Sequence, residues 1–445
     1  MLQRVGETVD PKDAVVKIKD ACFPAPFASE LEYNSPVHGN WNIVHTGMLV
    51  PEAIQIYVCA DNCMRGVVLT AAEMNAADRF SFVIVEEQHV LNGNLEDITI
   101  EGVTDVLNKR GDHPKAVLLF TVCLHHFVGS NLTYIYDELE RRFPDICFIR
   151  CYMDPIMQKH GLTPDQKLRK AMYDPLPECE ADEKAVSVFG SDFVLDESSD
   201  IKRLLRRYSY TVRELPACET WQDLLDMSKG RLFLDIYPAG KYGMETQARR
   251  LHRAHLYLPG SFDYEEIEQQ LKQLTDALGL PEVSREALDV ERAACEEVLA
   301  KAKALIRDMP IMLDYLYHPR PLGLAKLLLT HGFNVKAVYL DGISPEEKAA
   351  FDWLQKYAPE LELIATIQVK MRVLPRGGKE EVLAIGQKAA YFSRSRHFVN
   401  LVQGEGLYGF DGIRRTAELM MEAYREEKDT EKLVVQKGWG CECCL

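Results

Sequence analysis

Residues 53–74 read AIQIYVCADNCMRGVVLTAAEM, and the pattern of this stretch decides the fold class. Its opening AIQIYV is apolar except for Gln55 and rich in β-branched residues, which is typical of a buried strand. The short loop CADNC follows, and MRGVVLTAAEM is compatible with a helix. A strand that leads through a short loop into a helix is the building unit of parallel sheets with crossover helices.

The same unit recurs along the chain and predicts its division into lobes. Apolar runs bounded by turn signals include FSFVIV (80–85), KAVLLFTVC (115–123), RLFLDIY (231–237) and VKAVYLDG (335–342). Amphipathic segments separate these runs, so we predict an α/β protein of three Rossmann-like lobes, each a small parallel sheet flanked by helices. The predicted lobes are 1–175, an N-terminal α/β lobe with the candidate ligand cysteines, 176–308, a middle α/β and helical lobe, and 309–445, a C-terminal α/β lobe with a cysteine-rich tail.

Composition and charge restrict the class of partner and the compartment. With 445 residues, of which 47% are hydrophobic and 27% charged, the chain has the composition of an ordered globular protein. Its formal net charge of −16 argues against nucleic acid or a membrane surface as the main partner, since phosphate binding needs clustered Lys and Arg. The N-terminus lacks the apolar core of a signal peptide, and no stretch is apolar for the length of a membrane span. We therefore expect a cytoplasmic protein.

Twelve cysteines in a long chain without an export signal indicate free thiols or metal ligands rather than a disulfide framework. Cys59 and Cys63 follow the strand predicted at 53–58, and Cys123 ends the run at 115–123. Ligands of parallel sheets bind at the carboxyl ends of the strands, and thiolates fixed there can converge on iron. Taken alone, a CxxxC pair also fits two unliganded thiols in a polar loop.

The C-terminal GWGCECCL places Cys441, Cys443 and Cys444 within four positions. So close a trio is a candidate for an extra metal site, although a complete site would need a further ligand from elsewhere in the protein. The alternative interpretation is a flexible end that carries thiols.

Four segments carry a resemblance to a known family. They are YVCADNC (57–63), VLNG (90–93), TVCLHHFVGSN (121–131) and GLYGFDGI (406–413). Together with the order of Cys22, Cys63 and Cys123, they resemble the nitrogenase component 1 subunits and their relatives. The resemblance implies that these three cysteines bind an iron–sulfur cluster. It leaves Cys59 as either a substitute ligand or a bystander.

Two departures from the family pattern concern its large catalytic cofactor. In the molybdenum-iron protein a His of the last segment helps to hold this cofactor, and Tyr408 stands at that position here. The other protein ligand is a Cys of the middle lobe, where the closest match, LDIY (234–237), contains no cysteine. The resemblance therefore implies a nitrogenase-like branch with an oxygen-sensitive [4Fe-4S] or larger bridging cluster, and no molybdenum-iron cofactor is expected.

Further residues are candidates for contact with a substrate or with the surroundings of the cluster: His45, His125, His126, Tyr408 and Asp411. Imidazoles can transfer protons near neutral pH, and Tyr408 and Asp411 lie in the glycine-rich segment where relatives hold a cofactor. Each also has a purely structural interpretation, namely a hydrogen-bonded loop or helix-start histidine, or a turn with an Asx hydrogen bond.

The resemblance implies an electron-transfer or catalytic subunit of a nitrogenase-like two-component reductase. The sequence contains no GxxxxGK[ST] phosphate loop, so ATP hydrolysis is expected in a separate iron–sulfur reductase protein that supplies the electrons. Three cysteines are one ligand short of a four-iron cluster, so we expect a homodimer, or a heterodimer or heterotetramer with a paralogous subunit. The alternatives are a scaffold for the assembly of a metal cofactor and a binding module with structural cysteines.

Overall fold

The structure is a computed structural model that describes residues 10–11, 14–28, 42–154, 161–378 and 380–429. Its strands are β1 Val15–Lys17, β2 Ala53–Cys59, β3 Phe80–Ile84, β4 Ala116–Val122, β5 Cys147–Met153, β6 Asp182–Phe189, β7 Thr211–Glu214, β8 Gly230–Asp235, β9 Ala254–Tyr257, β10 Pro310–Asp314, β11 Asn334–Leu340, β12 Glu362–Ala365, β13 Leu383–Ile385 and β14 His397–Val399. Its α-helices are α1 Ile43–Gly47, α2 Asp61–Glu73, α3 Glu87–Leu91, α4 Leu95–Lys109, α5 Cys123–Phe127, α6 Leu132–Arg142, α7 Pro164–Met172, α8 Asp200–Arg207, α9 Trp221–Asp226, α10 Lys241–Arg250, α11 Tyr264–Leu278, α12 Arg285–Ile306, α13 Pro321–Thr330, α14 Lys348–Tyr357, α15 Gln387–Ser393 and α16 Gly409–Arg425.

The described residues form two compact units, and each unit is assembled from separate stretches of the chain. The N-proximal unit takes its described residues from 34–192 and 210–257. The C-proximal unit takes its described residues from 1–33, 193–209 and 258–433.

The N-proximal unit contains two four-stranded sheets with the same topology. Their strand orders are β3-β2-β4-β5 and β7-β6-β8-β9, and all neighbouring strands are parallel. In each sheet the strand that comes first in sequence lies between the second and the third. The connections therefore diverge beside it, and a crevice opens there at the carboxyl ends of the strands, the topological switch point. The first switch point lies between β2 and β4, and the second lies between β6 and β8.

The C-proximal unit contains a six-stranded sheet of order β1-β12-β11-β10-β13-β14. Its strands pair in parallel, except that the short edge strand β1 pairs antiparallel with β12. The third switch point lies between β10 and β13. The sequence patterns did not predict β1, because three residues within the charged segment PKDAVVKIKD are too few to show a period.

Strand β2 shows how the sequence fixes this layered packing. Its side chains alternate between two apolar clusters, so that Tyr57 packs on one face of the sheet, while Ile56 and Val58 pack on the other. A strand covered by helices on both faces needs apolar residues throughout, as observed. The one polar exception, Gln55, donates from Nε2 to Val44 O at 3.1 Å and accepts from Tyr57 Oη at 2.8 Å.

The predicted fold class is confirmed, because several small parallel sheets flanked by helices form the molecule. The lobe bounds predicted from sequence stay a prediction. Among the described residues, no helix combines the length and the apolar character needed to cross a bilayer.

Candidate functional site

Cys63 and Cys123 flank the first switch point. Cys63 lies in the first turn of α2, just beyond the end of β2, and Cys123 is the first residue of α5, directly after β4. Cys63 is exposed and Cys123 is half-buried, so both sulfurs can be reached by a ligand. The thiols are electrostatic neighbours, since partial desolvation, the Cys123 thiol and the Asp61 carboxylate raise the pKa of Cys63. The structure thus brings together two soft sulfur donors where parallel sheets bind ligands.

Cys59 occupies a different environment although only three residues separate it from Cys63. It is the last residue of β2, has no exposed surface, and belongs to the apolar cluster on one face of the sheet. Burial, with smaller contributions from Cys63 and Asp61, raises the pKa of the Cys59 thiol to about 12. In this position the side chain is a neutral thiol that fills the core.

The other candidate cysteines do not take part in this arrangement as described. Cys22 is exposed and follows the short 3-10 helix Ile18–Asp20 in the C-proximal unit. Cys441, Cys443 and Cys444 lie outside the described residues.

The edge of the first sheet that carries Cys63 and Cys123 is called the cysteine edge below. His125 is a buried, neutral histidine beside this edge. Its Nδ1 accepts a hydrogen bond from Val122 N at 3.2 Å, and its Nε2 lies 3.2 Å from Thr99 Oγ1. Burial is the main reason that the pKa of His125 falls to about 4. The imidazole therefore remains uncharged near neutral pH and ties α5 to α4.

His126 is more exposed than His125 and faces another strand end. Its Nε2 lies 3.4 Å from Asp154 Oδ2, just after β5, and its ring centroid lies 5.9 Å from that of Tyr152. Lys167 Nζ lies 3.6 Å from the same carboxylate oxygen. The position suits a hydrogen-bond donor at the edge of the first sheet.

His45 belongs to a polar network that the sequence did not reveal. In α1, His45 Nδ1 lies 3.0 Å from Asn42 Oδ1, and Asn42 Nδ2 donates to Asp192 Oδ2 at 2.9 Å. Arg169, which is fully buried, donates from Nη2 to Asp192 Oδ1 at 2.6 Å and from Nε to Asp165 Oδ1 at 3.0 Å. The one local signal for this network was the spacing of Asp165 and Arg169, four residues apart on one helix face.

Tyr408 and Asp411 hold the glycine-rich segment of the C-proximal unit in place. Tyr408 is buried, and its hydroxyl contacts Gln270 Oε1 at 2.5 Å and Leu258 O at 3.2 Å. Asp411 accepts hydrogen bonds from Ser198 Oγ at 2.7 Å and from Arg414 Nη2 at 3.1 Å. Both side chains make the contacts of structural residues.

A small cavity beside Tyr408 contains a histidine that sequence reasoning missed. The cavity, of about 10 Å³, has room for roughly one water molecule, and His318 lines it together with Tyr408. His318 Nδ1 accepts from Arg320 N at 3.1 Å, and burial lowers the pKa of His318 to about 3. No motif marks this residue in the sequence.

Comparisons with known proteins agree with this architecture. A family model described as "Nitrogenase component 1 type Oxidoreductase" matches residues 79–425. The match includes Cys123, Tyr408 and Asp411, and it begins after Cys22 and Cys63.

Two solved structures share the fold at low sequence identity. "Nitrogenase Cp1 at pH 6.5" is 13% identical with a TM-score of 0.64, over 89% of this chain and 94% of that chain. "Nitrogenase Cp1 at pH 5" is 12% identical with a TM-score of 0.58, over 93% of this chain and 94% of that chain. No curated protein matches the chain by sequence.

Proposed function

Because the chain belongs to the nitrogenase component 1 type oxidoreductase family, we propose that it is the iron–sulfur subunit of a nitrogenase-like two-component reductase. It takes electrons from a separate ATP-hydrolysing iron–sulfur reductase protein and passes them to a substrate. The substrate is not reduced at a molybdenum-iron cofactor. Tyr408 and the LDIY segment (234–237) stand where the family has its two protein ligands of that cofactor.

The observation that carries the proposal is the pair of accessible thiols at the first switch point. An iron–sulfur cluster needs thiolate ligands on rigid backbone, and the ends of β2 and β4 supply Cys63 and Cys123 in that form. Cys59 does not fit, because its sulfur is enclosed in the core and keeps its proton. The cluster ligands in this unit are therefore Cys63 and Cys123, and the family resemblance implies Cys22 as the third. When bound, such a cluster supplies one-electron oxidation and reduction.

A second chain, identical or paralogous, completes the ligand set. Large apolar side chains surround the cysteine edge at the surface of the N-proximal unit: Leu91 is 77% exposed, Phe127 57% and Val128 45%. Leu91 comes after the carboxyl end of β3. Phe127 and Val128 come after the carboxyl end of β4, where Cys123 begins α5. Exposed apolar residues around a site are typical of a protein interface.

Iron analysis of cysteine variants tests the assignment. The protein is produced anaerobically in a host that makes iron–sulfur clusters, and iron and acid-labile sulfide are measured per chain. Wild-type protein should be brown with several irons per chain. Cys63→Ala and Cys123→Ala should lose most of this iron, because each removes a ligand.

Cys59→Ala is the matched control, since it removes a neighbouring thiol that is buried in the core. It should keep the iron of the wild type at some cost in thermal stability. Iron-free wild-type protein from this host would contradict the proposal. The iron could instead leave the protein together with a transferred cofactor, while the protein takes up no electrons from a reductase protein. This result would identify a scaffold for cofactor assembly.

A further inference from the structure

The second and third switch points repeat one arrangement of side chain and backbone. Strand β8 ends at Asp235 and β10 ends at Asp314, and both residues are at most 1% exposed. Each carboxylate packs against a glycine across the switch point, Gly190 after β6 and Gly386 after β13. Both glycines have positive φ, and an added Cβ would lie 2.2 Å from Asp235 Oδ1 and 2.3 Å from the Asp314 carboxylate. An aspartate and a glycine therefore face each other across both switch points, with the aspartate on the later strand in one sheet and on the earlier strand in the other.

The two aspartates differ in their hydrogen-bond donors. Asp314 Oδ1 accepts from Leu316 N at 2.8 Å and Tyr317 N at 3.0 Å, and its Oδ2 accepts from Ala389 N at 2.8 Å. Asp235 Oδ1 accepts from Tyr237 N at 3.2 Å. In the described part of the chain, Asp235 Oδ2 is buried without a hydrogen-bond partner. Three amide donors suit a charged carboxylate, whereas one long hydrogen bond does not.

The nearest cation does not compensate for this lack of donors. Arg169 interacts electrostatically with Asp235, but its guanidinium already donates to Asp165 and Asp192. An ionised Asp235 would be a third negative charge around one arginine, in a fully buried position. From α10, Lys241 and Glu245 act on Asp235 with opposite signs, since Lys241 lowers its pKa and Glu245 raises it.

Several other buried polar atoms in this unit lack hydrogen-bond partners among the described residues. Two of them, Arg169 Nη1 and Tyr173 Oη, belong to residues that interact electrostatically with Asp235. Desolvation raises the pKa of Asp235 well above its usual range, in agreement with the geometry. Among the described residues, Asp235 Oδ2 therefore lacks the hydrogen-bond donors that would stabilise a negative charge on it.

We infer that the second switch point is a proton-holding site, in which Asp235 is a neutral carboxylic acid near neutral pH, whereas Asp314 at the third switch point is an ionised structural carboxylate. The acid hydrogen is on Oδ2, the carboxyl oxygen that has no hydrogen-bond partner among the described residues. A reductase that adds electrons to a substrate also consumes protons, so in the proposed function Asp235 is a proton reserve shielded from solvent. Only this last step rests on the proposed function.

Infrared spectroscopy with aspartate labelled by ¹³C at the side-chain carboxyl tests the protonation state directly. The label separates aspartate from buried glutamates such as Glu347, whose pKa burial raises to about 8. At pH 8 the folded wild-type protein should show a carboxylic-acid C=O band that shifts with the label. Asp165, whose pKa burial raises to about 6, is ionised at this pH.

Asp235→Asn should abolish the labelled band, and the matched variant Asp314→Asn should keep it. A folded wild-type protein without a labelled carboxylic-acid band at pH 8 would overturn the inference, whether or not either variant folds. A labelled band that survives in folded Asp235→Asn would overturn it as well. The measurement needs no iron, so its failure is distinct from failure of the proposed reductase function.

Discussion

Burial distinguishes residues that the sequence presents as equivalent. Cys59 and Cys63 stand in one CxxxC motif, yet one sulfur lies in the core and the other at the surface. His125 and His126 are adjacent, yet His125 is buried and uncharged while His126 borders Asp154. Whether a side chain at the junction of a strand and a helix is buried or exposed depends on the backbone geometry of that junction. Periodicity does not resolve this at the ends of elements.

Protonation of His125 should destabilise the fold in mild acid. The folded-state pKa of about 4 lies below the ordinary value of 6.5, so the neutral imidazole contributes stability above pH 6.5 that is lost as the pH falls toward 4. Between pH 7 and pH 5 the free energy of unfolding should drop by about 2 kcal/mol from this residue. Urea unfolding at both pH values measures the drop.

His125→Gln supplies the comparison, because glutamine does not titrate and can still accept from Val122 N. Other groups titrate equally in both proteins, so the difference between their pH dependences isolates the imidazole. An equal loss of stability in His125→Gln and the wild type would show that His125 does not couple folding to pH.

At the scale of elements, packing of α4 on β3 depends on one glycine. A Cβ on Gly102 would lie 2.3 Å from Val83 Cγ1, which is closer than two carbon atoms can approach. Gly102→Ala should therefore lower the free energy of unfolding by about 1–3 kcal/mol, because α4 must shift away from the sheet. This loss opposes the usual gain of about 1 kcal/mol when alanine replaces a helical glycine.

Two variants check the cause of that loss. Asn108→Ala, on the exposed face of the same helix, should be neutral or slightly stabilising. Val83→Ala in the Gly102→Ala background should recover part of the lost stability, because it removes the clashing methyl groups. Additive effects of the two substitutions would indicate that Val83 is not the obstacle.

Most strands were predictable because each is a continuous apolar run bounded by turn residues. The run at 53–58 became β2 at Ala53–Cys59, and the run at 115–123 became β4 at Ala116–Val122, with Cys123 starting a helix instead of ending the strand. The prediction that cysteines meet at a strand edge followed from the rule for parallel sheets. Beyond the local pair of Asp165 and Arg169, the network was not predictable, since Thr46 and Asp192 approach Arg169 from other stretches of the sequence.

At the scale of the whole molecule, three sheets each have a topological switch point and differ in the side chains that stand there. The first has the thiols of Cys63 and Cys123, the second has Asp235 with an open oxygen, and the third has Asp314 saturated by amides. The three switch points therefore carry the proposed cluster-binding edge, the proposed acid and a structural carboxylate. The strands could be predicted from the sequence. The residues at each switch point could be identified only from the order of the strands in the sheets.

Dimerisation should depend on the same cysteines as iron binding. If a second chain completes the cluster, Cys63→Ala or Cys123→Ala should remove iron and weaken subunit association together, because metal binding and assembly are linked. Sedimentation equilibrium with parallel iron analysis measures both quantities. We expect at least a tenfold weaker association for these variants, which corresponds to about 1.4 kcal/mol.

Cys59→Ala serves here too as the variant that should change neither property. Monomeric wild-type protein with its full iron content would show that the cluster lies within one chain. Cysteine variants that lose iron but associate as tightly as the wild type would place the subunit joint elsewhere, with Leu91 and Phe127 as the first residues to test.

Strand β1 has a consequence for how the protein is made. Strand β1 is synthesised long before its partner β12, since Val15–Lys17 pairs with Glu362–Ile364. The two sheets of the N-proximal unit can form while synthesis continues, whereas β1 has to wait with unpaired amide and carbonyl groups. Its brevity and its flanking lysines limit mispairing with other nascent chains during that delay. Completion of the six-stranded sheet therefore joins segments of the chain that are synthesised far apart in time.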